Sequence, residues 1–280
     1  MLKTKSAGNR VYKAFIYVVL IALTVSILVP VIWVFLASVK ENSEFYGNPW
    51  TLPAGIHWQN FVDAWERASM GEYMLNSVIV TALALVILLV VALPAAYCLS
   101  RFKFRSRNFL NICFMAGLFI NVNYIVVPIF LMLRDGDSFL RDTFGQGFLL
   151  NNIVVLAIVY AATALPFNFE EAAYIDGAGY GSTMVRIIFP MAQPSIVTII
   201  LFNFLSFWNE YIISMTLLSS TSGPRTLPVG LLNLMQAQQS AAQYGIMYAG
   251  LVMVMLPTLV LYICVQKKLI QGMTVGGLKG

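Results

Sequence analysis

The chain has 280 residues, 59% of them apolar and only 10% charged, with a mean hydropathy of +0.79 and a formal net charge of +5. Soluble domains carry roughly 25% charged residues, so this composition excludes a soluble globular protein. It leaves room for several ~20-residue membrane spans but not for a separate large soluble domain. The positive balance does not indicate nucleic acid, because the basic residues cluster beside apolar runs, where they fix orientation.

The first apolar run, Ala14–Ala37, follows Lys3, Lys5, Arg10 and Lys13. It is too long for the apolar part of a signal peptide and is read as a retained signal-anchor helix behind a tail of residues 1–13. The loop Ser38–Asn76 carries Glu41, Glu44, Asp63, Glu66 and Glu72, with Trp50, Trp58 and Trp65 placed as interface anchors. His57, the sole histidine, lies in this loop. With no second imidazole and no cysteine cluster it cannot build a zinc site, and it takes a surface or packing role.

Five more runs follow: Ser77–Leu99, Leu110–Leu133, Leu149–Phe169, Pro194–Leu218 and Tyr244–Gln266, charge-free except for Glu210. The predicted fold is therefore all-α, a polytopic membrane protein with six transmembrane helices in one domain, residues 14–280. Pro94, Pro128 and Pro257 are expected to kink their helices. Cys98, Cys113 and Cys264 are widely spaced within or beside apolar runs and read as small buried hydrophobes, not as metal ligands or a disulfide framework. The loop Ser219–Gln243, rich in Ser, Gln and Gly, has room for a short surface helix.

Orientation follows from charge. The stretch SRFKFRSRN between the second and third runs holds four basic residues and no acid. Placing it, the N-terminal tail and the C-terminal tail on the cytoplasmic side puts 12 of the 17 basic residues there, with Lys40, Arg67, Arg134, Arg141 and Arg225 outside.

With that orientation the stretch FEEAAYIDGAGYGSTMVRIIFPMAQP, Phe169–Pro194, is a cytoplasmic loop. Ala172, Asp176 and Gly179 share one helical face and Ala173, Gly177 and Tyr180 the next, so a thin helix surface is available to another backbone. Glu170 and Glu171 fall in the first turn, where negative charge is favourable by ~0.3–1 kcal/mol. Glycines cost about 1 kcal/mol each relative to alanine, so the helix should break near Gly179–Gly181. A short helix, Ser182–Phe189, then runs to Pro190, and Pro194 opens the fifth span. On physics alone the segment is either a docking helix or an ordinary interfacial helix without a partner.

This segment resembles the cytoplasmic loop of ABC importer permeases, in which Glu-Ala-Ala is followed by Asp-Gly-Ala and, after an apolar spacer, by two prolines. Glu171, Ala172, Ala173, Asp176, Gly177, Ala178, Ile187, Pro190 and Pro194 occupy matching positions, while Met184 and Phe189 stand where Phe and Leu are common. TLPAGIHWQNFVDAW, SFWNEYI and QGMTVGGLKG are similar to the carbohydrate, maltose-type branch. The resemblance implies that residues 170–193 are a coupling loop. Glu171, Ala172, Ala173, Asp176, Gly177, Ala178 and Pro190 would contact a separate ATPase subunit. It further implies a second homologous permease, two ATPase subunits carrying ATP and Mg, and an extracytoplasmic sugar-binding protein. The chain itself would bind no cofactor, sit among membrane lipid in a bacterial or archaeal cytoplasmic membrane, and import a di- or oligosaccharide. No G-x-x-x-x-G-K-[ST] phosphate loop occurs in the sequence, which agrees with a non-enzymatic subunit. Family members usually have a longer piece between the fourth span and Glu-Ala-Ala. Here the join at Phe169–Glu170 is short, so either the span is re-registered or a segment is absent.

Glu210 is the one ionisable residue inside a run, and such residues face a bundle interior or a watery path. Asn209 and Glu210 fit either the path or gate, with Trp208 offering a ring for a sugar face, or a hydrogen bond to the companion permease. Asn203, Asn123 and Asn121 are weaker candidates for the same path, and structural bonds fit each of them better. A different class, a stand-alone secondary transporter or channel using Glu210 as an ion or proton site, would require inverted repeats and broken central helices. Neither is evident in the sequence.

Overall fold

The computed structural model describes residues 7–67, 69–117, 119–172, 189–218 and 223–277, and among them every regular element is helical. In chain order these are α1 (Ala7–Ser38), a 3₁₀ turn (Asn42–Phe45), α2 (Gln59–Arg67), α3 (Met70–Arg101), α4 (Arg107–Gly117) and α5 (Val122–Phe144). After them come α6 (Ile153–Ala172), a single turn (Phe189–Met191), α7 (Gln193–Trp208), α8 (Ile212–Leu217), α9 (Leu227–Ser240) and α10 (Tyr244–Gly277). Helix occupies each of the six apolar runs. Tyr12–Ser38, Met70–Ser100 and Tyr244–Gln266 are each long and apolar enough to cross a bilayer, and α4 with α5 would make a fourth such element; Ile153–Ala164 and Ser195–Trp208 are shorter apolar helices.

Two runs expected to be single helices are divided. In the third, Asn121 starts a new helix by accepting the Asn123 N–H at 2.9 Å, and the axes of α4 and α5 differ by 104°. A side-chain acceptor for an otherwise orphaned N–H makes this a helix start. In the fifth, α7 ends at Trp208 and α8 begins at Ile212. The fourth starts at Ile153, because Asn152 accepts the Val154 N–H at 2.8 Å. Pro30, Pro94, Pro128 and Pro257 all lie within helices.

The chain divides into two compact units. The larger, Ser69–Leu232 with Val254–Gly280, is built on the packing of α3 against α6. Val80, Ala84, Leu88 and Ala92 recur every four residues and so form one stripe of α3, facing Leu156, Ala157, Tyr160, Ala161 and Ala164 of α6. The alanines let the two backbones approach closely, which is how membrane helices gain van der Waals contact. At one end of α3, Asn76 donates to the Arg225 carbonyl (3.0 Å) and Ser77 accepts the Leu227 N–H (2.7 Å). Gly230 lies directly on the Tyr73 ring, where no side chain fits. At the other end Arg107 turns back, its Nε donating to the Leu99 carbonyl (2.7 Å), so one of the four basic residues of that loop caps a helix C-terminus. Between α5 and α6, nearly buried Asp137 accepts the Leu149 N–H (2.7 Å) and pairs with Arg141 (3.2 Å).

The smaller unit is Met1–Ala68 with Asn233–Met253. In it the fully buried Lys40 donates to the Pro49 carbonyl (2.8 Å) and lies 4.6 Å from the Trp33 ring centroid. Asn42 donates to the Ala242 carbonyl (2.7 Å) and accepts the Tyr244 N–H (2.9 Å).

The cysteines depart from expectation. Cys98, Cys113 and Cys264 are exposed on helix faces of the isolated chain. In a membrane protein a small apolar residue has no need of the interior, since lipid is as apolar as a core. Likewise α9 is not only a surface helix, for Leu227, Val229 and Leu234 are buried.

Candidate functional site

Within the larger unit a cavity of about 310 Å³ is lined by residues from the start of α5, from α6 and α7, and from the α7–α8 break. Its polar lining is Tyr160, Thr163, Asn203, Ser206 and Glu210, and its apolar lining includes Val122, Ala164, Phe202, Phe207 and Ile213. Asn203 and Ser206 stand at i and i+3 on α7, and Glu210, four residues further on in the break that follows, continues the same polar side of the cavity. Tyr160 and Thr163 answer it from α6.

The break at Asn209–Tyr211 explains why this cavity is polar. Glu210 N–H reaches only the Phe207 carbonyl at 3.4 Å, and the regular ladder stops. Backbone groups released inside a membrane must find partners. The Glu210 carboxylate accepts the Ile213 N–H (3.0 Å) at the start of α8, where negative charge suits the helix end. The Tyr160 hydroxyl donates to the Glu210 carbonyl (3.1 Å) and shares a 2.5 Å hydrogen bond with the buried Ser214 hydroxyl. Its ring stacks on Phe207 with centroids 5.6 Å apart.

Of the pathway residues expected from sequence, Glu210 and Asn203 line the cavity, and Asn203 also donates to the Ile199 carbonyl at 2.8 Å. Trp208 stands apart from it: the side chain is 2% exposed, stacks on Phe204, and donates from Nε1 to the Val254 carbonyl of α10 at 3.3 Å. That ring packs one helix onto another and offers no face to a sugar in this conformation. Asn209 is exposed and donates to the Leu205 carbonyl, and Asn123 is exposed beside Val122; neither lines the cavity. Tyr160, Thr163 and Ser206 were missed, although the i, i+3 and i, i+3, i+7 polar spacings carry them in the sequence.

For the coupling loop, α6 runs without a break through Phe169 and Glu170 and ends with Glu171 and Ala172. The short join is thus spanned by continuous helix. Pro190 is exposed in the turn Phe189–Met191. Ala173, Asp176, Gly177 and Ala178 lie outside the described residues. A second cavity, about 280 Å³ in the smaller unit, is lined by Glu41, Asn42, His57, Asn60, Asp63 and Gln243 among others. No group of three or more metal-ligating side chains occurs among the described residues.

The family model of the binding-protein-dependent transport system inner membrane component matches residues 89–273. The chain belongs to this family. As an inner membrane component it is 30% identical to the diacetylchitobiose uptake system permease protein NgcG of Streptomyces coelicolor, over 96% of this chain and 90% of that one. It is 28% identical to the melibiose/raffinose/stachyose import permease protein MelC of Bacillus subtilis, over 87% of this chain and 88% of that one. In fold, this permease is similar to a chain of a bacterial ABC transporter involved in import of the acidic polysaccharide alginate, with TM-score 0.72 and 23% identity over 94% and 98% of the two chains. The broken helix that a secondary transporter would have is present, but the family is that of ABC importer permeases, and the Glu210 carboxylate is engaged as a helix cap.

Proposed function

We infer that this permease passes a carbohydrate, a di- or oligosaccharide, across the cytoplasmic membrane in an ATP-driven importer. The observation that carries the reading is the polar stripe of Asn203, Ser206 and Glu210 facing Tyr160 and Thr163 across a cavity of about 310 Å³. That volume falls at the lower end of the roughly 300–1,000 Å³ of small-molecule sites, and neutral hydroxyl and amide groups suit sugar hydroxyls. The sugar names of its relatives support the same substrate class.

The permease pairs with a second homologous permease, two ATPase subunits and an extracytoplasmic sugar-binding protein. ATP and Mg sit on the ATPase subunits, and this chain performs no hydrolysis. Both termini and the coupling loop 170–193 face the cytoplasm, as the distribution of Lys and Arg supports. Glu171, Ala172, Ala173, Asp176, Gly177, Ala178 and Pro190 meet the ATPase, whose closure moves the loop and shifts the spans between inward- and outward-open states. Asn203 and Glu210 line the path, and Trp208 and Asn209 brace the helices around it.

The test is reconstitution of the co-purified complex with its binding protein and a panel of labelled oligosaccharides. ATP-dependent uptake of one of them is expected. Uptake by this chain alone, driven by an ion gradient, would refute the reading. Gly177→Leu is expected to abolish ATP-coupled uptake with insertion intact, and normal uptake in that variant would remove the coupling role.

A further inference from the structure

Helix α2 presents an exposed apolar face. At 3.6 residues per turn, Trp58 at its entry, Val62 and Trp65 fall on one side, and they are 65%, 44% and 46% exposed. Asn60 and Ala64 fall on another side and are buried, while Gln59, Asp63 and Glu66 make up the polar remainder. Asp63 and Asn60 line the polar cavity of the smaller unit, roughly opposite the tryptophan stripe. An isolated exposed tryptophan is unremarkable, but two of them with a valine along one side of a nine-residue helix form a continuous apolar edge.

What covers that edge follows from where α2 is tied. The Asn60 side-chain amide donates to the Ser38 carbonyl (3.0 Å) and to the Lys40 carbonyl (2.8 Å). Ser38 is the last residue of α1, whose stretch Tyr12–Ser38 is long and apolar enough to cross a bilayer. Asn60 therefore holds α2 at the level where the hydrocarbon slab ends. A second aromatic group marks the same level: Trp50 is exposed and pairs with Trp33, ring centroids 4.7 Å apart, and Trp33 lies roughly 7.5 Å along α1 from Ser38 at 1.5 Å per residue. Tryptophan is enriched where headgroups meet acyl chains, because its ring is apolar and its N–H needs a polar partner. A short helix with one apolar and one charged side lies flat in that layer.

We propose that α2 is an interfacial anchor, embedded in the headgroup layer of the leaflet at the C-terminal end of α1. Trp58, Val62 and Trp65 dip among the glycerol and upper acyl groups of phospholipids, and Glu66 faces water. The bonds of Asn60 to the end of α1 set this apolar edge at the membrane boundary, and that height selects lipid over a protein partner. The anchor fixes the height of the loop between α1 and α3 relative to the membrane.

The test uses the assembled complex in phospholipid vesicles, with Cys98, Cys113 and Cys264 replaced by alanine and a nitroxide placed on Val62→Cys or Glu66→Cys. The Val62 label is expected to be more accessible to oxygen than to a water-soluble nickel chelate, and the Glu66 label the reverse. Equal nickel accessibility at both positions overturns the proposal. So does shielding of the Val62 label that arises only when the binding protein is added, which would make this edge a protein-docking face. A label-free measurement runs in parallel on the natural chain: brominated phosphatidylcholine is expected to quench tryptophan fluorescence, with part of that quenching lost in Trp58→Phe/Trp65→Phe. Unchanged quenching in the double variant counts against the anchor.

Discussion

Replacing Tyr160 with phenylalanine removes a single hydroxyl and keeps the ring on Phe207. The lost oxygen served two groups: the fully buried Ser214 hydroxyl at 2.5 Å and the Glu210 carbonyl at 3.1 Å. Glu210 borders a polar cavity, so water can replace the phenol there. Ser214 has no such recourse, and a buried polar group left unpaired costs ~1–3 kcal/mol. Removing both hydroxyls, in Tyr160→Phe/Ser214→Ala, leaves no orphan and should recover most of the loss. A double-mutant cycle on the purified complex, read as the midpoint of thermal or detergent-induced unfolding, should therefore show a coupling of about 1 kcal/mol or more between the two positions. If the single effects add within ~0.5 kcal/mol, the two side chains act independently. The account of how the break between α7 and α8 is held would then be wrong.

Gly230→Ala should destabilise the complex by ~1–3 kcal/mol, the cost of overpacking, because the new methyl meets the Tyr73 ring; Tyr73→Ala in the same chain should restore the unfolding midpoint in part. Gly147→Ala places a methyl on the Asp137 carboxylate and should lower stability similarly, measured the same way, with a smaller added effect once Asp137 is already alanine. Glu44 lies outside the membrane spans, and its carboxylate accepts the Ala54 and Glu41 N–H groups, which hold its pKa below the ordinary value. A depressed folded pKa means that this contribution is complete above the unfolded glutamate value, ~4.3, and is lost as pH falls through the folded value. Amide exchange of Ala54, corrected for its intrinsic rate, should accelerate on such acidification in the natural chain and not in Glu44→Gln.

The apolar runs announced six helical regions because length and hydropathy are local properties, and lipid imposes helix on any such run. The divisions within the third and fifth runs were not evident, since each depends on one side chain choosing a backbone partner. Asn121 takes the N–H of Asn123, and Glu210 takes that of Ile213. Glu210 was legible as an anomaly, a charge in an apolar run, but its capping role required the break to be seen. The stripe Asn203, Ser206 and Glu210 could have been read by helical spacing alone. Trp208 could not, because its direction depends on α10, a helix contributed by a distant part of the sequence. The sequence places Lys40 only among the basic residues on the outer side; the aromatic ring and carbonyl that enclose it become neighbours only when the chain turns after α1.

The contacts of Lys40 and Asn42 also set a timetable for synthesis. The Lys40 enclosure uses partners no more than 11 positions away, so it can close soon after Thr51 leaves the ribosome. Asn42, two residues on, bonds to Ala242, 200 positions later. At about 5–20 residues per second, that partner emerges roughly 10–40 seconds afterwards, when every other membrane helix but α10 has been made. The loop beyond α1 is therefore completed in two episodes, and a chain stalled or truncated before Ala242 would retain the lysine pocket while leaving the Asn42 amide to water.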